Sequence, residues 1–124
     1  MRLSPKGQSK IMHEMSLAES VLQILEDAAR EHGYARVKAV WLEIGQLACV
    51  EHDSLRFCFD VVMRDSIAHE ARLEIIEKMG QGRCKKCLVE MPMAELYEAC
   101  PVCGSFEMQI TGGDQMRVQE LEVE

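Results

Sequence analysis

No run in this chain is apolar over the roughly 18–20 residues that a membrane-spanning helix needs, and the basic first residues lack the apolar stretch of a secretory leader. Aromatic residues are also few, at 5%, so Leu, Ile, Val and Met must fill any core. Positive charge is short. Residues 1–11 hold Arg2, Lys6 and Lys10 and no acid, which leaves 11 of the 14 basic residues against all 21 acidic ones in residues 12–124, a balance of −10. A surface that grips phosphates is basic, so nucleic acid is not an expected partner. There is no Ser/His/Asp order, no phosphate-cradling glycine loop and no nucleophile motif, so no enzymatic role is expected. Internal repeats and low-complexity tracts are absent as well.

What the sequence does have is cysteine in a pattern. Cys84-Lys85-Lys86-Cys87 is followed, after 12 residues, by Cys100-Pro101-Val102-Cys103-Gly104. Each Cys-x-x-Cys pair belongs on a tight turn, and two facing turns can place four thiolates around one ion, with Zn–S bonds of about 2.3 Å. Gly104 suits a turn that needs positive φ. The spacing fits a structural zinc site. Rubredoxin-like iron shares the Cys-Pro-x-Cys-Gly form and remains an alternative. Disulfides are the weakest reading, because four of the six cysteines fall in a metal pattern and the other two, Cys49 and Cys58, have no partner at ligand spacing. That usage suits a reducing cytoplasm. A closed four-thiolate site leaves no position for water, so the zinc would be structural, and without it this segment should unfold. Arg83, Lys85 and Lys86 lie close to the dianionic centre and are ordinary solvated cations unless they offset its charge.

The 124 residues are enough for one domain, or for one domain with a small module. Residues 1–11 show no apolar period and contain Pro and Gly, the composition of a disordered arm. Ser16-Leu17-Ala18-Glu19 reads as a capping box. An apolar stripe of Leu17, Val21, Ile24, Leu25 and Ala28 then predicts a helix over 16–32 that stops at Gly33. Residues 36–44 alternate with both faces apolar, as in a central strand. Residues 51–64 return to a helical period, with Glu51 and Asp53 as first-turn acids. Residues 72–78 read as a second strand and 116–123 as a last one, with a bulge near Gln119 because its apolar parity switches. Gly80-Gln81-Gly82 and Gly112-Gly113-Asp114 read as flexible joints around the cysteine module. The expected fold is therefore α+β: a small mixed sheet with two helices, plus an inserted zinc-ribbon-like module. The expected division is an arm at 1–11, a body at 12–79 plus 114–124, and a metal module at 80–113.

Met12-His13-Glu14 is a second candidate for metal chemistry. An imidazole beside backbone nitrogens and a carboxylate can hold a square-planar Ni(II) or Cu(II) ion. On its own the pattern is weak, since a histidine ahead of a helix is usually only a polar residue.

Taken together, Met12-His13-Glu14-Met15-Ser16-Leu17-Ala18, Glu43-Ile44-Gly45, Leu55-Arg56-Phe57-Cys58-Phe59, the two cysteine pairs, Gly112-Gly113 and Leu121-Glu122-Val123 resemble the HypA/HybF family of hydrogenase nickel-incorporation proteins. The resemblance covers residues 12–124. It implies a cytoplasmic nickel metallochaperone for [NiFe]-hydrogenase maturation. Transferable Ni(II) would sit on Met12, His13 and Glu14, and structural Zn(II) on Cys84, Cys87, Cys100 and Cys103. The implied partners are a HypB-type GTPase and the hydrogenase large subunit, and a homodimer is compatible with the pattern. One departure stands out. In the family the methionine is the first residue and offers a free amine; here eleven residues precede Met12, so its nitrogen is an amide, which gives up a proton far less readily than an amine of pKa about 7.7–8.0. His52 and His69 read as surface residues, and Met91-Pro92-Met93 as turn packing.

Overall fold

The computed structural model describes residues 2–3, 8–10 and 14–124. The chain forms two sheets and two helices. Strands β1 (Arg2–Leu3) and β2 (Gln8–Lys10) come first, followed by helix α1 (Glu14–His32). Strand β3 (Val37–Gly45) leads through one 3-10 turn (Gln46–Ala48) into helix α2 (His52–Met63), and α2 into β4 (Arg72–Lys78). Strands β5 (Gly80–Cys84), β6 (Glu90–Met93) and β7 (Met108–Gly112) form a separate sheet in the order β6-β5-β7. Strand β8 (Gln115–Val123) then returns to the first sheet. The α+β reading with an inserted cysteine module therefore holds.

β3 is central, as its two apolar faces require. It runs parallel to β4 and antiparallel to β8. The parallel pair needs a crossover, and α2 supplies it. Both helices cover the same face of the sheet, where Leu17, Val21 and Leu25 of α1 and Leu55, Phe59 and Met63 of α2 join Val40, Leu42, Ile44, Val118 and Leu121 in one core. Burying an aliphatic side chain of this size contributes about 1.5–3 kcal/mol, so this cluster holds the body together without a ligand. Tyr34 closes one end: its hydroxyl donates to the Leu25 carbonyl at 2.6 Å, and burial pushes its pKa up to about 12.

The predicted bulge in β8 is present. Trp41 pairs with Glu120 and Leu42 with Val118, so Gln119 is the extra residue. The insertion lets Met116 and Val118, and then Leu121 and Val123, all turn inward despite their opposite parity. A second irregularity between Val37 and Ala39 brings Val37 into the core beside Val40.

Three expectations are corrected. The helix starts at Glu14, so Ser16 lies inside its first turn and does not cap it. The arm over 1–11 is not disordered where it is described, because Arg2–Leu3 and Gln8–Lys10 pair with the outer edge of β8. Main-chain pairing needs no apolar period, which is why composition did not reveal it. The two glycine joints are also closely packed, not open linkers. Gly80 opens β5, and a Cβ there would fall 2.2 Å from the Met93 carbonyl oxygen. At Gly113, with φ +75°, a Cβ would fall 2.5 Å from Gly80 Cα. The glycines are there because the two ends of the module press against each other. The Leu47 amide donates to the Gly113 carbonyl at 2.7 Å, which ties that junction to the end of β3.

Candidate metal centres

The four predicted cysteines converge. Cys84 lies at the end of β5 and Cys87 three residues on, while Cys100 and Cys103 occupy the turn before β7. The two turns share one hydrogen-bond pattern. The Leu88 amide donates to the Cys84 carbonyl at 3.0 Å, and the Gly104 amide to the Cys100 carbonyl at 2.8 Å. Likewise the Cys84 amide donates to Val89 and the Cys100 amide to Ser105. Each turn leaves its fifth residue left-handed, Leu88 at φ 64° and Gly104 at φ 76°. Glycine was expected at the second; the leucine at the first carries the strain that a side chain meets there.

All four sulfurs lie within 4.8 Å of one another. Cys84 Sγ is 3.6 Å from Cys103 Sγ, and Cys87 Sγ is 3.6 Å from Cys100 Sγ. Four thiolates bound tetrahedrally at about 2.3 Å would stand about 3.8 Å apart, close to the two 3.6 Å separations here, so the four sulfurs suit a zinc or iron ion. It is the single such cluster among the described residues. The pairing across turns, first with fourth and second with third, is how two facing knuckles complete a tetrahedron. Cys84 and Cys100 are buried, while Cys87 and Cys103 are exposed.

Protons are unevenly held in the cage. The Cys87 amide, with help from the Lys86 amide and the neighbouring sulfurs, outweighs burial and draws Cys84 down to about 6. Cys100 is lowered in the same way, first by the Cys103 amide. At Cys87 the Val89 amide favours the thiolate, but burial and the other three sulfurs push the thiol up to about 11. A divalent ion held by these four cysteines would favour the thiolate form of each.

The second candidate is less fully described. Met12 and His13 lie outside the described residues; Glu14 is the first residue of α1. Glu14 lines an open cleft of about 450 Å³ with Asp53, Ser54, Phe57 and Cys58 of α2. Sequence reasoning did not join these residues, because the packing of α1 on α2 brings them together. Asp53 and Cys58 are thus metal-capable side chains that share a cleft with the motif's described end. Glu51 caps α2, its carboxylate accepting from the Asp53 amide at 3.2 Å. His52 is half-buried with Nε2 3.9 Å from Glu77, and His69 is exposed in the turn before β4. Cys49 Sγ contacts the Leu47 carbonyl at 3.6 Å and stands apart from the cage.

Residues 12–123 match the family described as hydrogenase/urease nickel incorporation, metallochaperone, hypA. The chain is 58% identical over 113 residues to the hydrogenase maturation factor HypA of Albidiferax ferrireducens, spanning 91% of this chain and the whole of that one. It is 55% identical over 113 residues to the same factor of Azotobacter chroococcum, with the same coverage of this chain. Among solved structures it is similar to the Ni metallochaperone HypA of Helicobacter pylori, with a TM-score of 0.72 and 26% identity over 90% of this chain and 97% of that one.

Proposed function

The chain belongs to the HypA family, and from that premise we propose that it carries Ni(II) to [NiFe]-hydrogenase during maturation. It acts as a carrier and not as a catalyst. Nickel is its cargo, held at Met12, His13 and Glu14 through the His13 imidazole and backbone nitrogens. Zinc is its resident metal, held by Cys84, Cys87, Cys100 and Cys103, and the zinc supplies a fixed shape. The observation that carries the reading is the match over residues 12–123, which takes in both metal motifs at once.

The chemistry of the two sites supports the division. Four thiolates around one ion are saturated and release slowly. A site of one imidazole and a few nitrogens at a chain segment can bind selectively and still let go. The body over 12–79 and 114–124 presents the nickel site, and residues 80–113 form the zinc module. The partners are a HypB-type GTPase and the hydrogenase large subunit, with neither nucleic acid nor membrane involved; a homodimer is compatible with these roles. The cysteine usage, with four of six in a metal pattern, suits a reducing cytoplasmic setting. The family description also covers urease, which makes urease maturation a second delivery route to examine.

Deleting the protein from its own cells tests the cargo role. In nickel-poor medium hydrogenase activity should be lost, and excess nickel should restore it. Normal maturation without the protein and without added nickel would overturn the proposal.

A further inference from the structure

Residues 1–11 precede everything that the family match covers, since the match begins at residue 12. Yet the described part of this leader is ordered against the body. Arg2 and Leu3 pair with Glu122 and Leu121, and Gln8, Ser9 and Lys10 pair with Arg117, Met116 and Gln115. Both segments run antiparallel to β8 on the edge that β3 leaves free. An unpaired edge strand is a ready acceptor for another strand.

Main-chain pairing alone does not fix register. Side-chain contacts accompany the pairing here. The Arg2 guanidinium lies over the Trp41 ring at 5.1 Å from its centroid, and its Nη1 is 3.5 Å from Glu120 Oε1. Arg72 lies over the same ring at 5.6 Å and is engaged with Glu74 at 3.0 Å. Trp41 is the single tryptophan of the chain and half-buried, on the sheet face opposite the helices. Glu120 follows the Gln119 bulge, the insertion that shifts the register of β8 beside β3.

We propose that the outer edge of β8, with Trp41 and Glu120, is an acceptor site for an extended, arginine-bearing peptide strand, and that the chain's own leader fills it in cis. The ligand class follows from the contacts. The edge supplies main-chain groups to any extended segment, and the ring and carboxylate select a planar cation two strands away from β3. A leader so bound removes an open edge that would otherwise pair with a second copy. None of the acceptor residues is a proposed ligand of either metal, so failure of this site and failure of the nickel role are distinguishable.

Amide exchange tests it. The chain 12–124 keeps all the residues that the family match covers. In it, the β8 amides that face the leader should exchange at least about tenfold faster than in the full chain, while β3 and β4 amides stay protected as the control for folding. Adding a synthetic peptide of residues 1–11 should restore protection, and the same peptide with Arg2→Ala should do so several-fold less well. If the shortened chain loses β3 protection as well, the full chain with Arg2→Ala decides. Exchange at Leu3 and in 8–10 should rise and Trp41 emission should shift, with partial recovery in Arg2→Lys. Unchanged β8 exchange in 12–124, or equal protection by both peptides, would overturn the acceptor site. Protection in the full chain that grows with protein concentration would overturn its filling in cis.

Discussion

The body and the cysteine module are stabilised in different ways. The body buries a continuous cluster that runs from Leu17 in α1 through Val40 and Leu42 to Leu121 in β8. In the module, the buried residues with apolar side chains are Cys84, Met93 and Cys100, and two of those three belong to the four-cysteine cluster. Leu88, Tyr97, Val102 and Phe106 are all exposed there. A segment this poor in buried apolar area cannot offset the conformational entropy of ordering its chain. The body therefore folds by burial, whereas the module needs a further source of stability, which the proposed ion would supply.

The comparison breaks first if the metal is removed. A strong chelator should unfold residues 80–113 and leave the body intact, because the binding energy of such a site, about 10–16 kcal/mol in comparable four-ligand modules, is its folding energy. Far-ultraviolet dichroism with residue-resolved exchange would show β5–β7 amides released and β3–β8 amides unchanged. Acid should act in the same direction. The thiolates take up protons as pH falls, so the metal leaves and the module opens well before the body does.

Next comes a lesion in the body. Phe59→Ala removes a ring that is 2% exposed and should cost about 3–5 kcal/mol in denaturant unfolding, while the stripped-and-reloaded protein still takes up one ion in the cage. Loss of that ion in the folded variant would show that the two regions are not separable. A smaller effect sharpens the boundary between them. Gly80→Ala places a Cβ 2.6 Å from Leu47 Cγ as well as against Met93. It should cost about 1–3 kcal/mol and lower the transitions of body and module together, since both sides must shift. The smallest effect lies in the turns. Leu88→Gly relieves a left-handed leucine at φ 64° and should stabilise the metal-bound module by up to about 1 kcal/mol. Gly104→Ala, at φ 76° with open space around it, should destabilise by a similar amount.

Much of this was legible in the residues, for reasons that differ by element. β3 announced itself through two apolar faces, and the β8 bulge through the parity switch between Val118 and Leu121. The four cysteines carried their own geometry in their spacing. The start of α1 was misplaced because Ser16 and Glu19 match a capping box wherever they fall, and nothing local excludes a helix that begins two residues earlier. The glycines at 80 and 113 looked like hinges because flexibility and close approach select the same residue; only the opposing backbone tells them apart. The leader strands were illegible because edge pairing uses main-chain groups that composition does not register. The cleft of Glu14 with Asp53, Ser54, Phe57 and Cys58 is a product of helix packing, and no spacing rule encodes it.

The central claim is that the two metals occupy separate sites with separate ligands. Metal analysis of the His13→Ala protein, saturated with nickel and zinc and then freed of loosely held ions, tests it most directly. The account predicts one zinc per chain and no retained nickel. Nickel retained in that variant, or zinc lost from it, would contradict the claim.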